Sequence, residues 1–232
     1  MRRRRTRAPL WVLAATLLVG LGVDHPWGST GAGPTAAGTV VAPGSYLPPH
    51  VDVAATLRLL ATLPVKGRAP MTGYRRSRFG DGWVDVDGNG CRTRDDVLTR
   101  DLVDRQFRDR CVVVAGMLPD PYTHRLVAFR KADAAAVQID HVVALADAWQ
   151  KGAQQWSQDK RVAFANDPLE LLAVTGQVNQ DKSDSDAASW LPPYKPFRCA
   201  FVARQVQIKA TWGLWVTAAE RDAIRRVLSG CR

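Results

Sequence analysis

The sequence lacks three features that would have placed it in a common class of protein. It has no C-x-x-C pair among its four cysteines, which argues against a structural zinc knuckle. It has no internal repeat, which excludes solenoids and other repeat arrays. Acidic residues are also few, since 22 Asp and Glu stand against 32 Lys and Arg, for a formal net charge of +10. A basic balance suits an anionic polymer such as nucleic acid, or simply a solvated surface with a basic bias.

The sequence also lacks an apolar run long enough for a comfortable membrane span. A basic start, Met1–Arg7, is followed by the apolar stretch Ala8–Val23, which Pro9 and small or weakly polar residues interrupt. This order is typical of a secretory signal peptide, which we assign to residues 1–24. No A-x-A site closes the stretch, so the alternative is an uncleaved signal anchor in the cell membrane. Residues 25–48 are rich in Gly, Pro, Ser, Thr and Ala and predict a flexible linker.

The remaining residues, 49–232, are enough for one ordinary domain with a proper core. Residues 1–24 contain five arginines and one aspartate, so the rest of the chain keeps a formal net charge of +6. We therefore predict an exported, moderately basic domain. It would be secreted, monomeric and without a stable membrane partner once the signal is removed.

All four cysteines lie within residues 49–232. An even count in an exported chain predicts two disulfides, for which three pairings are possible. We favour Cys91 with Cys111 and Cys199 with Cys231, because each of these pairs flanks one predicted helical unit.

Apolar periodicity predicts an α+β fold with few short strands and many helices. Trp83 is a predicted core anchor in a loop-like segment, and Thr217 with Glu220 forms a predicted capping box. Helices are predicted over residues 51–63, 144–156, 159–165, 199–211 and 218–228, and from about residues 93 and 177. Strands are predicted over residues 111–118, 126–129, 137–143 and 169–174.

Two short motifs carry the chemistry. Asp140-His141 ends a predicted strand, and Asn179-x-x-Lys182 lies in a predicted helix further along the chain. Asp140 and Asn179 offer the oxygen ligands that a hard divalent cation prefers. His141 can take a proton from water near neutral pH, and Lys182 can lie against a phosphate. This set of groups predicts a one-metal phosphodiesterase.

Asp140 and His141 are adjacent, which makes it difficult for both side chains to reach one site. Alternation along a strand points the two side chains to opposite faces. The prediction therefore requires a distortion at the strand end, or the turn after it, to bring both side chains to one site. Without the second motif, a histidine on an apolar strand is more often a packed residue than a catalyst.

A second oxygen-rich segment matches the spacing of an EF-hand loop. Asp85, Asp87, Asn89 and Asp96 occupy ligand positions, and Gly90 stands at the sixth place. The final position holds Asp instead of the usual Glu, which reaches less far. The segment predicts a structural Ca²⁺ site, with a turn rich in Asp, Asn and Gly as the alternative.

The motifs stand in a wider pattern. IDHVVALADAW, GAQQW, FANDPLELLAV, NQDK and WLPP occur in this order, after GWVDVDGNGCRTRDDVLTRDL and PDPYTHRLVAF. The pattern resembles the secreted actinobacterial members of the HNH endonuclease superfamily. Those proteins carry the domain that is also found at the C-terminal end of GmrSD-type restriction enzymes. The resemblance covers the chain from about Tyr74 onward.

This resemblance implies a ββα-metal (HNH, or His-Me finger) core with short antiparallel strands among several helices. On that core His141 would be the general base. Asp140 and Asn179 would bind one Mg²⁺ ion, for which Mn²⁺ or Ca²⁺ could substitute. Lys182 would be a phosphate or scaffold contact.

One position departs from the family pattern. Glu170 replaces the central Asn of the motif, which orients the loop after the first strand. Either Asn166 does that work and belongs to the catalytic set, or the loop is held differently. Arg94 is a further candidate, either as a phosphate ligand in the groove or as the partner of a nearby Asp.

We therefore expect a secreted, metal-dependent endonuclease that acts on DNA through its phosphates. One alternative is an exported nucleic-acid-binding protein on a degenerate scaffold, of which Glu170 would be a symptom. Another is a secreted ribonuclease toxin, because phosphate contacts by themselves do not distinguish DNA from RNA.

Overall fold

The computed structural model describes Pro49–Cys231, so the predicted signal peptide (1–24) and linker (25–48) lie outside the described residues. Within this range the chain forms seven α-helices and two small antiparallel sheets, which confirms the α+β class. None of the described helices is long and apolar enough to cross a membrane.

The elements follow one another in this order. The helices are α1 (Val53–Thr62), α2 (Thr93–Asp101), α3 (Leu145–Gln150), α4 (Gln158–Ala165), α5 (Gly176–Lys182), α6 (Arg198–Trp212) and α7 (Ala218–Ser229). The strands are β1 (Val103–Phe107), β2 (Val113–Pro119), β3 (Leu126–Arg130), β4 (Val137–His141) and β5 (Leu171–Thr175). Short 3₁₀ turns occupy Arg76–Phe79, Ala153–Gln155 and Lys195–Phe197.

Two differences from the predicted elements have physical causes. Strand β1 was not predicted, because all five of its residues are exposed and it has no apolar alternation. The helix predicted over residues 144–156 is divided, because Gly152 adopts a φ of 130° and separates α3 from a 3₁₀ turn. The predicted capping box of Thr217 and Glu220 at the start of α7 is confirmed.

The strands belong to two separate sheets that share one core. Strands β1, β2 and β3 form the first sheet, and β4 pairs with β5 in the second. One face of β4 and β5 packs with α2 and the first sheet, through buried apolar side chains. They are Val97, Leu98, Leu102, Val113, Leu118, Phe129, Val137, Ile139, Leu171 and Ala173. The helices α1, α3, α4, α6 and α7 enclose a larger core on the other side.

Both favoured disulfide pairings are confirmed. Cys91 joins Cys111, which ties the loop before α2 to the start of β2. Cys199 joins Cys231, which ties α6 to the residue that follows α7. Each bridge therefore closes one predicted helical unit.

The larger core contains a network of buried charges that links α3, α6 and α7. The Nζ atom of Lys151 lies 2.6 Å from Asp147 Oδ1, 2.6 Å from Glu220 Oε2 and 2.8 Å from Asp186 Oδ2. Lys209 Nζ lies 3.0 Å from Asp147 Oδ2 and 2.8 Å from Glu220 Oε1. All five residues are at most 2% exposed. Arg68, whose side chain is 39% exposed, connects this network to the surface, because its Nη2 lies 2.7 Å from Asp186 Oδ2.

Candidate active site at the end of strand β4

Asp140 is buried on the face of β4 that looks toward α5. Its Oδ2 accepts a hydrogen bond from the Tyr122 hydroxyl at 2.5 Å, and its Oδ1 accepts one from Lys182 Nζ at 2.8 Å. Burial and then the charge of Asp140 raise the pKa of Tyr122 well above its ordinary value, so this hydroxyl remains a donor. Lys182 and Asp140 thus form a buried ion pair at the end of β4.

Lys182 lies at the end of α5 and is fully buried. Besides Asp140, its Nζ donates to the backbone carbonyl of His141 at 2.8 Å. Both contacts fix the end of β4, and neither leaves the ammonium group at the surface. Of the two roles implied for Lys182, this geometry supports the scaffold contact.

His141 lies on the opposite face of β4, where its ring stacks on Trp83 with 5.8 Å between ring centroids and 8° between planes. Its Nε2 donates to the carbonyl of Ala165 at 3.0 Å, since a carbonyl can only accept. Nδ1 makes no hydrogen bond within Pro49–Cys231. Burial and then the charge of Arg76 lower the pKa of His141 from 6.5 to about 3. The ring is therefore neutral at neutral pH, the form that accepts a proton.

The end of β4 is regular, so the expected distortion is absent from the β4–β5 pair. Each residue of β4 faces one residue of β5, up to His141 opposite Leu171. Asp140 and His141 accordingly make their contacts on different faces. Both residues nevertheless line one cavity.

Two cavities meet at His141. The polar cavity has a volume of about 370 Å³, and its lining includes Gln138, Asp140, His141, Asn179, Gln180 and Asp184. The Trp83 cavity has a volume of about 300 Å³, and its lining includes Phe79, Gly80, Gly82, Trp83, His141 and Asn166. Arg76, His141 and Leu145 line both cavities, so these residues mark the junction between them.

The oxygen groups of the polar cavity fit a divalent cation. Asn179 Nδ2 donates to Gln138 Oε1 at 2.9 Å, and the side-chain oxygen Oδ1 of Asn179 accepts no hydrogen bond within Pro49–Cys231. Each Asp140 oxygen keeps a lone pair beyond the one hydrogen bond it accepts. The described residues include no cluster of three His, Cys, Asp or Glu side chains that could hold a metal. An ion here would take two ligands from the protein and the others from water and phosphate, as Mg²⁺ commonly does.

Glu170 itself holds the turn after β4. Its Oε1 accepts from the backbone N–H of Val143 at 3.0 Å, and its backbone carbonyl accepts from Val142 N–H at 2.9 Å. Asn166 works elsewhere: its Oδ1 accepts from Val84 N–H at 3.1 Å, and its Nδ2 donates to the carbonyl of Val162. Glu170 thus performs the loop-holding task expected of the central Asn, and Asn166 fixes the loop that carries Trp83.

The fully buried Glu170 side chain leads to a test of stability. Burial raises the pKa of Glu170 well above its ordinary value, which favours the uncharged acid. We expect Glu170→Gln, which matches the uncharged acid in shape, to melt within a few degrees of the wild type. Glu170→Ala should lower the free energy of unfolding by about 2–3 kcal/mol, because it leaves Val143 N–H without an acceptor. Urea denaturation of both variants measures the difference, and equal losses would contradict this role.

Two other predicted features lie away from His141. The guanidinium of Arg94 packs 5.9 Å from the centre of the Phe129 ring and lines neither cavity. In the segment matched to a calcium loop, Asn89 Nδ2 donates to Asp87 Oδ2 at 3.0 Å and to Asp96 Oδ1 at 3.1 Å. Asp85 accepts two backbone N–H groups of the same loop, as in the alternative turn. Calcium binding there stays a prediction.

Sequence reasoning missed Tyr122 and Arg76. Tyr122 stands in PDPYTHRLVAF, where nothing marks it as a partner of Asp140, and its link to Asp140 spans 18 residues. Arg76 belongs to the run Arg75-Arg76-Ser77-Arg78, whose basic charge was the available signal. Nothing in that run distinguishes the one arginine that lines both cavities.

Comparison with known proteins identifies the family of the chain. Residues 92–227 match the family described as GmrSD restriction endonucleases, C-terminal domain. A protein from Arthroderma benhamiae, described as an uncharacterized secreted protein, is 36% identical over 187 residues, which cover 79% of this chain and 89% of that relative. No solved structure matches the chain.

The chain is thus a disulfide-linked α+β domain of an endonuclease-associated class. It belongs to the GmrSD restriction endonuclease C-terminal domain family, as the sequence motifs had indicated. The description of the relative as secreted, together with the two disulfides, is consistent with the predicted export.

Proposed function

We propose that the protein is a secreted, metal-dependent HNH-type endonuclease that hydrolyses phosphodiester bonds of DNA. One observation carries the proposal: a buried, neutral histidine with one fixed ring nitrogen lines the same cavity as two metal-capable oxygen groups. His141, Asp140 and Asn179 are these residues. The strand pairing supports it, because β5 pairs antiparallel with β4 and leads directly into α5, as in a ββα-metal core, with α3 and α4 inserted between the two strands.

In the proposed reaction His141 acts as general base. The Ala165 carbonyl holds Nε2–H, so Nδ1 takes the proton from the attacking water. Trp83 covers one face of the ring and limits its rotation. Lys182 and Tyr122 hold the Asp140 carboxylate in place. A Mg²⁺ ion held by Asp140 and Asn179, or Mn²⁺ or Ca²⁺ in its place, would supply positive charge to the phosphate oxygens.

Removal of divalent ions tests the proposal. We expect the purified protein to nick and linearise plasmid DNA in Mg²⁺ or Mn²⁺, and to lose this activity in excess EDTA. Readdition of the ion should restore cleavage, which a gel of plasmid forms would record. Undiminished cleavage in excess EDTA would contradict a metal-dependent mechanism.

The same assay separates the two alternatives. Binding of DNA without cleavage over long incubation would favour a non-catalytic binding protein. The hydrogen bonds of Glu170 weaken that alternative, because Glu170, which stands where the family has Asn, still holds the turn after β4 in place. Faster digestion of RNA than of DNA would favour the ribonuclease, so both polymers are incubated in parallel.

A further inference from the structure

We propose that Arg76 binds the scissile phosphate of the nucleic acid substrate. This inference rests on the proposed endonuclease function and names the residue that would hold its substrate. The location of Arg76 supports this role, because Arg76 lines both cavities and shares their junction with His141. A phosphate at this junction would lie between the proposed base and the proposed metal ligands.

The other candidate cations are already engaged. Lys182 is buried and donates to Asp140 and to the backbone of His141. Arg94 packs on Phe129 away from both cavities. Among the described residues that line the two cavities, Arg76 is the one lysine or arginine. Its guanidinium is exposed and makes no hydrogen bond or ion pair within Pro49–Cys231, so all five of its N–H donors can reach a ligand.

A phosphate in this site needs a positively charged side chain such as Arg76. Lys182 is matched by Asp140, so this pair offers little net charge to an incoming phosphate. Phosphodiester hydrolysis builds negative charge on the phosphoryl oxygens and needs it neutralised. A planar guanidinium can bind two of those oxygens side by side, which a lysine cannot do.

The backbone of Arg76 is held firmly enough for this task. It begins a 3₁₀ turn that ends at Phe79, which is 2% exposed and packs against Trp149 and Phe164. The carbonyl of Arg78 accepts a hydrogen bond from Arg161 Nε at 2.9 Å. The exposed side chain therefore projects from an anchored turn, so its replacement should leave the fold intact.

The adjacent Arg75 provides a matched control. It is exposed, carries the same charge and lines neither cavity. We expect Arg76→Ala to lower kcat/KM for plasmid cleavage about 100-fold, and Arg76→Lys to lower it roughly tenfold, because only the point charge remains. Arg75→Ala should stay within about threefold of the wild type. Melting temperatures of all three variants check that they are folded.

A second measurement does not depend on catalysis. Binding of a fluorescein-labelled single-stranded oligonucleotide is followed by anisotropy in excess EDTA, at two salt concentrations. Arg76→Ala should bind more weakly than Arg75→Ala and show a smaller dependence on salt, since one phosphate contact is lost. Equal behaviour of the two variants in cleavage and in binding would overturn the role of Arg76.

The two assays also separate failure of this inference from failure of the proposed function. If the wild type cleaves no nucleic acid with any ion but binds it through Arg76, the phosphate contact stands and the endonuclease does not. If the wild type cleaves and Arg76→Ala matches Arg75→Ala, only the role of Arg76 fails. A wild type that neither cleaves nor binds would overturn both.

Discussion

Replacing His141 by alanine is expected to lower the rate of plasmid cleavage by about 10²–10⁴-fold, the usual contribution of a general base. The reason is local, because the Ala165 carbonyl holds Nε2–H and Nδ1 makes no hydrogen bond within Pro49–Cys231. Rates are measured in saturating Mg²⁺, so that a change in metal affinity does not imitate a loss of base. His141→Asn is made in parallel, because its amide can keep a contact with Ala165 while lacking basicity.

His50→Ala serves as the control for His141→Ala. His50 is exposed and lies beside α1, in a different cavity, so its loss should leave cleavage unchanged. The stack on Trp83 is also removed in His141→Ala, so near-ultraviolet circular dichroism must show an intact core. A folded His141→Ala that cuts at the wild-type rate would disprove the mechanism.

Much of this architecture could be predicted from short-range pattern. Apolar spacing identified strand β4, the spacing of Asn179 and Lys182 suited a helix, and the even cysteine count predicted two disulfides. These signals are local: alternation, capping residues and turn residues act within a few positions. The pair Asp140-His141 was recognised for the same reason, because both residues lie in one motif.

The rest of the candidate site depends on partners that are distant in sequence. Lys182 resembles any surface lysine until its ammonium group is found 2.8 Å from a carboxylate 42 residues away. Glu170 suggested decay of the motif, yet its carboxyl group accepts a hydrogen bond from the turn residue Val143, which lies 27 residues earlier in the chain. Such pairings follow from how β4, β5 and α5 pack, and periodicity contains no information on which polar groups will meet across that packing.

Lys151→Met is the variant expected to cost the most stability, about 3–5 kcal/mol of unfolding free energy. Lys151 is fully buried and pairs with three carboxylates, on Asp147, Asp186 and Glu220. Methionine fills a similar volume but leaves the three carboxylates with only Lys209 and Arg68 as positive partners, so one buried negative charge is uncompensated. Lys131→Met, at an exposed lysine, is the control and should be nearly neutral. Urea denaturation measures both, and a loss below about 1 kcal/mol for Lys151→Met would contradict the prediction.

The acid dependence of stability should change in the same variant. Burial alone would raise the pKa of both aspartates, but Lys209 and Lys151 lower the pKa of Asp147, and Lys151, the Ala188 N–H and Arg68 lower that of Asp186. A folded-state pKa below the unfolded value contributes stability that is full above about pH 4 and is lost as the pH falls further. Lys151→Met removes part of that attraction, so its stability should fall less steeply on acidification than that of the wild type.

A double variant decides whether unpaired charge is the cause. Glu220→Gln alone should destabilise the protein, because Lys151 and Lys209 both lose a charged partner. Combined with Lys151→Met, it removes one negative charge together with one positive charge and restores the balance of the network. We therefore expect the double variant to lose less than the sum of the two single losses, by about 1–3 kcal/mol. Strict additivity would mean that the cost of Lys151→Met arises from packing, and that the buried charges act independently.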